Sequence, residues 1–297
     1  MQDKFSINLR RLSLTAVFLS VALTLRLLFS FYIPLFGENG MRVGISGIFS
    51  TMPSILFGPV WGAIATGLND ILGFIMRPTG TYLPQMTLIL ASGAFLRGLA
   101  WLLLRNRDAV KIRRIVLVFS VAVLLFGLVN LIFFHIEGVN RSFFDGFVRG
   151  EDILDTSGMF FMSRFILTRA LGVTDHVGTL NTMVTTFTLA PIGVSVLGFT
   201  LCIVDFLMSK SLKKDYKEYT SVMPLLIAML IGAWWQSTFN SIVLRQHVFT
   251  SWQHMPFIVV WLPRILQTTI TTTVYSYFVA LLYQICKRQN FLKPYLR

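Results

Sequence analysis

Apolar runs long enough to cross a bilayer decide what this chain can fold into. Residues 12–33, 83–104, 114–135, 186–208, 222–245 and 256–286 are each such a run, since about 20 apolar residues in a helix span the hydrocarbon core. Two shorter runs, 43–58 and 60–76, are nearly joined at Gly58-Pro59. In lipid every backbone N–H and C=O must find its partner inside the protein, so these runs are read as helices. The expectation is an all-α polytopic membrane protein, a compact helical bundle with eight spans. Only 13% of the residues are charged, about half of what a soluble domain carries. Residues 12–33 are read as a retained span and not a cleaved signal, because no small-x-small site follows and Tyr32, Pro34 and Gly37 make an interfacial turn.

A net charge of +13 raises the question of nucleic acid. The distribution answers it: all eight lysines lie between the apolar runs or at the ends of the chain, so they mark loops and not a binding stripe. With the N-terminus inside, inner segments hold sixteen Lys and Arg and outer segments seven, which places both termini in the cytoplasm. The longest outer segment, 136–185, carries six acids and an aromatic stretch, Gly158 to Gly172, that suits an interfacial helix or a packed cap. Cys202 and Cys286 sit far apart in apolar runs and read as free thiols, and the four histidines lack metal-ligand spacing. No P-loop, HExxH or GxSxG is present, and no paired acids lie in helical register within a span. The reading therefore includes no cofactor and no metal, and an ATP-driven cycle would need separate ATPase subunits.

Polar residues inside spans mark a site by default, because burying them in lipid is costly. Arg26 lies fifteen residues beyond Arg11, about 22 Å from the inner interface at 1.5 Å per residue. Asn69 and Asp70 lie past the midpoint of an outward run, and Gln236 and Asn240 sit one turn apart on another. Arg264 and Gln267 fall near the outer end of the last run, and Tyr82 and Gln85 begin the fourth. Five spans thus bring polar groups to one level near the outside. A structural Arg–Asp pair accounts for single members of this set. Two arginines and one acid leave a positive charge unmatched, which suits an anionic ligand, and Trp234, Trp235 or Tyr82 offers a face for a flat ring. Arg97, further along its span, is read as snorkelling to the inner surface. Asp205 is read as an interfacial charge, and the threonines at 268, 269 and 271–273 as helix packing.

The stretch from Arg42 to Leu104 carries FGPVWGAI, then Asp70, then RPTGTYLP. It resembles the substrate-binding (S) components of energy-coupling-factor vitamin transporters, most closely the folate group. Arg26 with the following MRVGISGIF run, and LPRILQ at Leu262 to Gln267, extend the likeness over residues 10–104 and 222–288. Residues 105–221 depart from the usual pattern. The division implied is a core of four spans in 1–104, an insertion with two spans and a long outer loop in 105–221, and two further core spans in 222–297. Ala16 and Ser20 lie four apart, so they share a face, and small residues at that spacing let helices approach closely in lipid. The resemblance implies that this pair, Ser20 standing where the family has alanine, docks onto a transmembrane coupling subunit that carries two ATPases. It also implies a bacterial cell membrane and capture of a vitamin, folate or a related pterin in the first place, another vitamin in the second, and no catalysis. From a different class comes an intramembrane lipid-modifying enzyme with Asp70 as its acid or base. A stand-alone carrier would want inverted repeats, and none is visible.

Overall fold

The computed structural model describes residues 2–35, 38–78, 80–135, 176–215, 222–253, 255 and 257–289. The chain is an all-α polytopic membrane protein with one small hairpin added. Helix α1 (Gln2–Leu28) leads into strands β1 (Ser30–Leu35) and β2 (Glu38–Gly44). Then come α2 (Ser46–Leu56), α3 (Pro59–Met76) and α4 (Pro84–Leu104). After these follow α5 (Ala109–His135), α6 (His176–Asp215), α7 (Val222–His247), the single turn α8 (Thr250–Gln253) and α9 (Phe257–Arg288). Among the described residues, seven helices are long and apolar enough to cross a membrane.

The missing eighth span is 43–58. Its first residues belong to β2, which pairs antiparallel with β1 so that Tyr32 faces Arg42 and Phe31 faces Val43. The expected tight turn at Tyr32 and Pro34 is thus part of a longer hairpin, with the register irregular where Pro34 cannot donate; Gly37 lies outside the described residues. What remains, α2, is 11 residues long, about 16 Å at 1.5 Å per residue, and cannot cross. Its apolar character has another cause: Ile48, Met52, Ile55 and Leu56 are all buried by neighbouring helices. A segment that is apolar all round is buried, whether by lipid or by protein. Gly58 turns the chain from α2 into α3 at φ 99°, a backbone conformation that glycine adopts without steric cost. Pro59 and Pro84 open α3 and α4, where a missing N–H costs nothing.

Six helices surround a common centre. α1 packs on α2 and α3, α3 on α4, α4 on α7, α7 on α9, and α9 closes the ring against α2. The apolar core lies where these meet, with Met52, Trp101, Leu225, Met229 and Val279 at 2% exposure or less. α5 and α6 pack chiefly on each other and touch the ring at α7 and α9. Pro191 interrupts α6, which leaves the carbonyl four residues back, that of Phe187, without its helical donor. The buried Asn130 of α5 supplies one, its Nδ2 donating to the Phe187 oxygen at 3.2 Å. Asp205 is not an interfacial charge: it is buried, pairs with Arg113 at 3.4 Å and accepts from the Val222 N–H at the start of α7. Cys202 and Cys286 are both free. The acidic segment after α5, with the stretch from Gly158 to Gly172, lies outside the described residues.

Candidate functional site

At the end of the ring that carries the hairpin, the six helices stand apart around a cavity of about 840 Å³. That is a volume suited to a small organic ligand. Its lining runs from Tyr82 and Gly80 at the rim to Arg97, Thr66 and Met229 inside. From Leu83 to Arg97 along α4 is about 20 Å of helix. The hairpin contributes Tyr32, Gly40, Arg42 and Gly44.

One wall is a chain of charged and polar contacts. The Arg26 guanidinium donates to the Asn69 carbonyl at 2.9 Å and stands 3.6 Å from the Asp70 carboxylate. Gly73 makes this possible: a side chain there would run into the guanidinium. The other carboxylate oxygen accepts from the Thr87 hydroxyl at 2.7 Å, and Thr87 lies 2.8 Å from the Tyr82 hydroxyl. Thr87 has a single hydroxyl proton and spends it on Asp70, so Tyr82 must be the donor to Thr87. The order Tyr82, Thr87, Asp70, Arg26 is thereby fixed across three helices.

A second arginine ties the opposite wall to the hairpin. Arg264 donates from Nε to the Ser241 hydroxyl at 2.8 Å and from Nη1 to the Gly40 carbonyl, and its guanidinium faces the Trp252 ring at 6.0 Å. Tyr275 adds a bond from its hydroxyl to the Gly44 carbonyl at 2.7 Å. Deep in the cavity lies Arg97, 6% exposed. It does not snorkel. Its Nη2 meets the Gln236 side-chain oxygen at 3.4 Å, and the Gln236 amide nitrogen donates to the Leu90 carbonyl at 2.8 Å. Two glycines bring α4 and α7 close enough for this: a Cβ on Gly232 would sit 2.8 Å from the Arg97 Cβ, and one on Gly93 would strike Gln236.

Four arginines and one carboxylate among the described residues line the cavity. Among the described residues only Arg26 of these four pairs with an acid. Several polar atoms stand ready without partners: the side-chain oxygens of Asn69, Asn240 and Thr66 and the Nε of Arg97. Buried polar groups are almost always bonded, so orphans gathered on one cavity lining ask for a polar occupant. The wall thus offers cationic donors for an anion, carboxamide oxygens that can accept from N–H groups, and the rings of Tyr32, Phe74 and Tyr82 for a flat surface. Among the described residues no three His, Cys, Asp or Glu side chains are placed to hold a metal.

Of the residues singled out in the sequence, Arg26, Asn69, Asp70, Tyr82, Gln236, Asn240, Arg264 and Gln267 all line the cavity. Gln85 and Trp235 do not. Gln85 is exposed, and Trp235 is 39% exposed on the outer face of α7, its ring tilted against that of Phe239 and its indole N–H on Ser92. Trp234 points elsewhere too, donating to Thr269. Thr268, Thr271 and Thr272 line the cavity; Thr268 donates across to the Ser237 hydroxyl of α7 at 3.2 Å, and Thr271 donates within its own helix to the Gln267 carbonyl. From the sequence, Thr87, Arg97, Arg42, Tyr32 and Tyr275 are not assigned to the site; Arg97 reads as snorkelling and Tyr32 as part of a turn. Arg97 carried a signal, a charge inside a span. The hydroxyl residues carried none, because Thr and Tyr are unremarkable in membrane helices. Ala16 and Ser20 lie away from the cavity, both exposed on α1.

No known family profile matches the chain, and no solved structure matches it. A curated relative, the folate transporter FolT of Clostridium novyi (strain NT), is 26% identical over 112 residues, which is 38% of this chain and 62% of the relative. The chain therefore spans less than two thirds of the length of the relative it matches.

Proposed function

We propose that this protein is the substrate-capture subunit of an energy-coupling-factor vitamin importer in a bacterial cell membrane, taking folate or a related pterin. The observation that carries the reading is the deep cavity at the hairpin end, with its excess of arginines and its unpartnered carboxamide oxygens. A carboxylate-bearing ligand answers the charge, and a ring rich in N–H groups answers Asn69 and Asn240. The folate transporter of Clostridium novyi supports the choice of ligand. α2 carries the chain from the cavity at Ser46 back to the apolar core at Leu56; with this short helix counted as the return, the Lys and Arg counts favour both termini in the cytoplasm, and the cavity then opens outward. Residues 1–104 and 222–297 form the capture core, and 105–221 is an insertion whose helices α5 and α6 lie against α7 and α9. The exposed pair Ala16 and Ser20 faces the coupling subunit, which brings two ATPases.

An enzyme built on Asp70 is disfavoured by the same geometry. One carboxylate oxygen is held by Arg26 and the other by Thr87, and among the described residues no second acid lines the cavity. The test is a titration of the detergent-purified protein with folate, followed by the fluorescence of Trp252, which is fully buried beside Arg264. Tight saturable binding, lost in Asp70→Ala and Arg264→Ala, is the expected result. Tight binding of another vitamin in its place keeps the capture role and changes the ligand. A folded protein that binds no vitamin sinks the reading.

A further inference from the structure

We propose that the deep end of the cavity is a seat for a carboxylate, with Arg97 as the residue that receives it, so that the ligand enters charged end first. This rests on the cavity being a ligand site, as above, and not on the ligand being folate. Arg97 is 6% exposed, and among the described residues no acid pairs with it. Among the described residues its one side-chain hydrogen bond is to neutral Gln236, at 3.4 Å. A buried cation without an anion is unfavourable, and a bound anion relieves it.

The surroundings are built for that role. Gln236 is held by the Leu90 carbonyl, so its oxygen fixes one edge of the guanidinium and leaves the rest of the fork to a ligand. Thr66 lines the same end with a hydroxyl that has no partner. Gly232 and Gly93 leave the room that Arg97 and Gln236 occupy between α4 and α7, since a side chain at either would collide with one of them. Two of the other three arginines are already engaged, Arg26 by Asp70 and Arg264 by Ser241 and Gly40, and the third, Arg42, is exposed on β2 of the hairpin and not at the deep end. A single arginine with neutral donors matches the charge and the planar shape of a carboxylate; a dianion such as phosphate would want more cations.

Benzoate and benzamide test this, because they share a shape and differ in charge. Their affinities are measured by calorimetry on the full chain in detergent. The wild type is expected to prefer benzoate by about tenfold or more, the range of a charge-assisted hydrogen bond. Arg97→Gln is expected to erase that preference while benzamide affinity stays within about twofold. Arg97→Lys keeps the charge between α4 and α7 and guards against misfolding; it is expected to weaken benzoate and leave benzamide unchanged, since it loses the fork. Equal affinities in the wild type, a preference that survives both substitutions, or one lost only in Arg264→Gln would each overturn the proposal. Folate titrated into the same samples keeps the two readings apart. Benzoate preference with no folate binding sinks folate alone, and folate binding indifferent to Arg97 sinks the seat alone.

Discussion

Asp70 shows how much one side chain can organise in a membrane interior. Its two oxygens join α1 to α4, through Arg26 on one side and Thr87 on the other. The pair with Arg26 is largely shielded, at 14% and 15% exposure, so removing either partner strands a charge. Arg26→Gln and Asp70→Asn should each destabilise the protein by about 3 kcal/mol. The double variant should recover part of that, since it leaves no charge unpaired; thermal unfolding in detergent reads all three. Thr87→Val removes one donor and one acceptor at once. A loss of about 1 kcal/mol is expected, with Thr87→Ser close to wild type. If Thr87→Val unfolds like the wild type and binds ligand as well, the ordered chain from Tyr82 to Arg26 has no energetic meaning.

At the scale of elements, the Asn130–Pro191 contact has a definite consequence. Pro191 cannot donate to the Phe187 carbonyl, and Asn130 does so from the neighbouring helix. Asn130→Leu leaves that carbonyl orphaned between α5 and α6, at a cost of about 1–3 kcal/mol. In a Pro191→Ala background the helix supplies its own N–H, and the same substitution should cost much less. Equal costs in the two backgrounds would show that Asn130 acts by packing alone. The elements differ in how openly the sequence announces them. The long spans and the Gly58-Pro59 break were legible, because runs of apolar residues and the two strongest punctuators need no tertiary context. Residues 43–58 misled because burial by protein and burial by lipid select the same composition. The candidate site shows a similar division. Charges in apolar runs stood out, so Arg26, Asp70 and Arg264 were found. Trp235 reads as a face for a flat ring, yet it stands one residue, about 100° of helix, from Gln236, and that step turns it out of the cavity. Arg97 was set aside by counting depth, which cannot see that Gly93 and Gly232 open a pocket for it far down the bundle.

The whole molecule has two sides with different surroundings. α5 and α6 cover the ring at α7 and α9, while α1 packs on α2 and α3 and leaves one face bare. That face carries Ser13, Ala16, Val17, Ser20 and Thr24, all exposed. Its three hydroxyls are satisfied within the helix: Ser13 donates to the Leu9 carbonyl, Ser20 to that of Ala16 at 2.8 Å, and Thr24 to that of Ser20. The face is therefore smooth and free of unmet polar groups, able to stand in lipid or meet another helix closely. In the proposed importer the additional helices α5 and α6 do not obstruct docking through α1. Bulk placed on the bare face should then separate capture from transport. Ala16→Trp and Ser20→Trp are expected to bind ligand as the wild type does, because neither position lines the cavity. Both should fail to co-purify with a coupling subunit and its ATPases, and cells carrying them should lose ligand uptake. Undiminished uptake by both variants would place the partner on another face. Loss of ligand binding together with uptake would show instead that α1 bears on the cavity through its packing against α3.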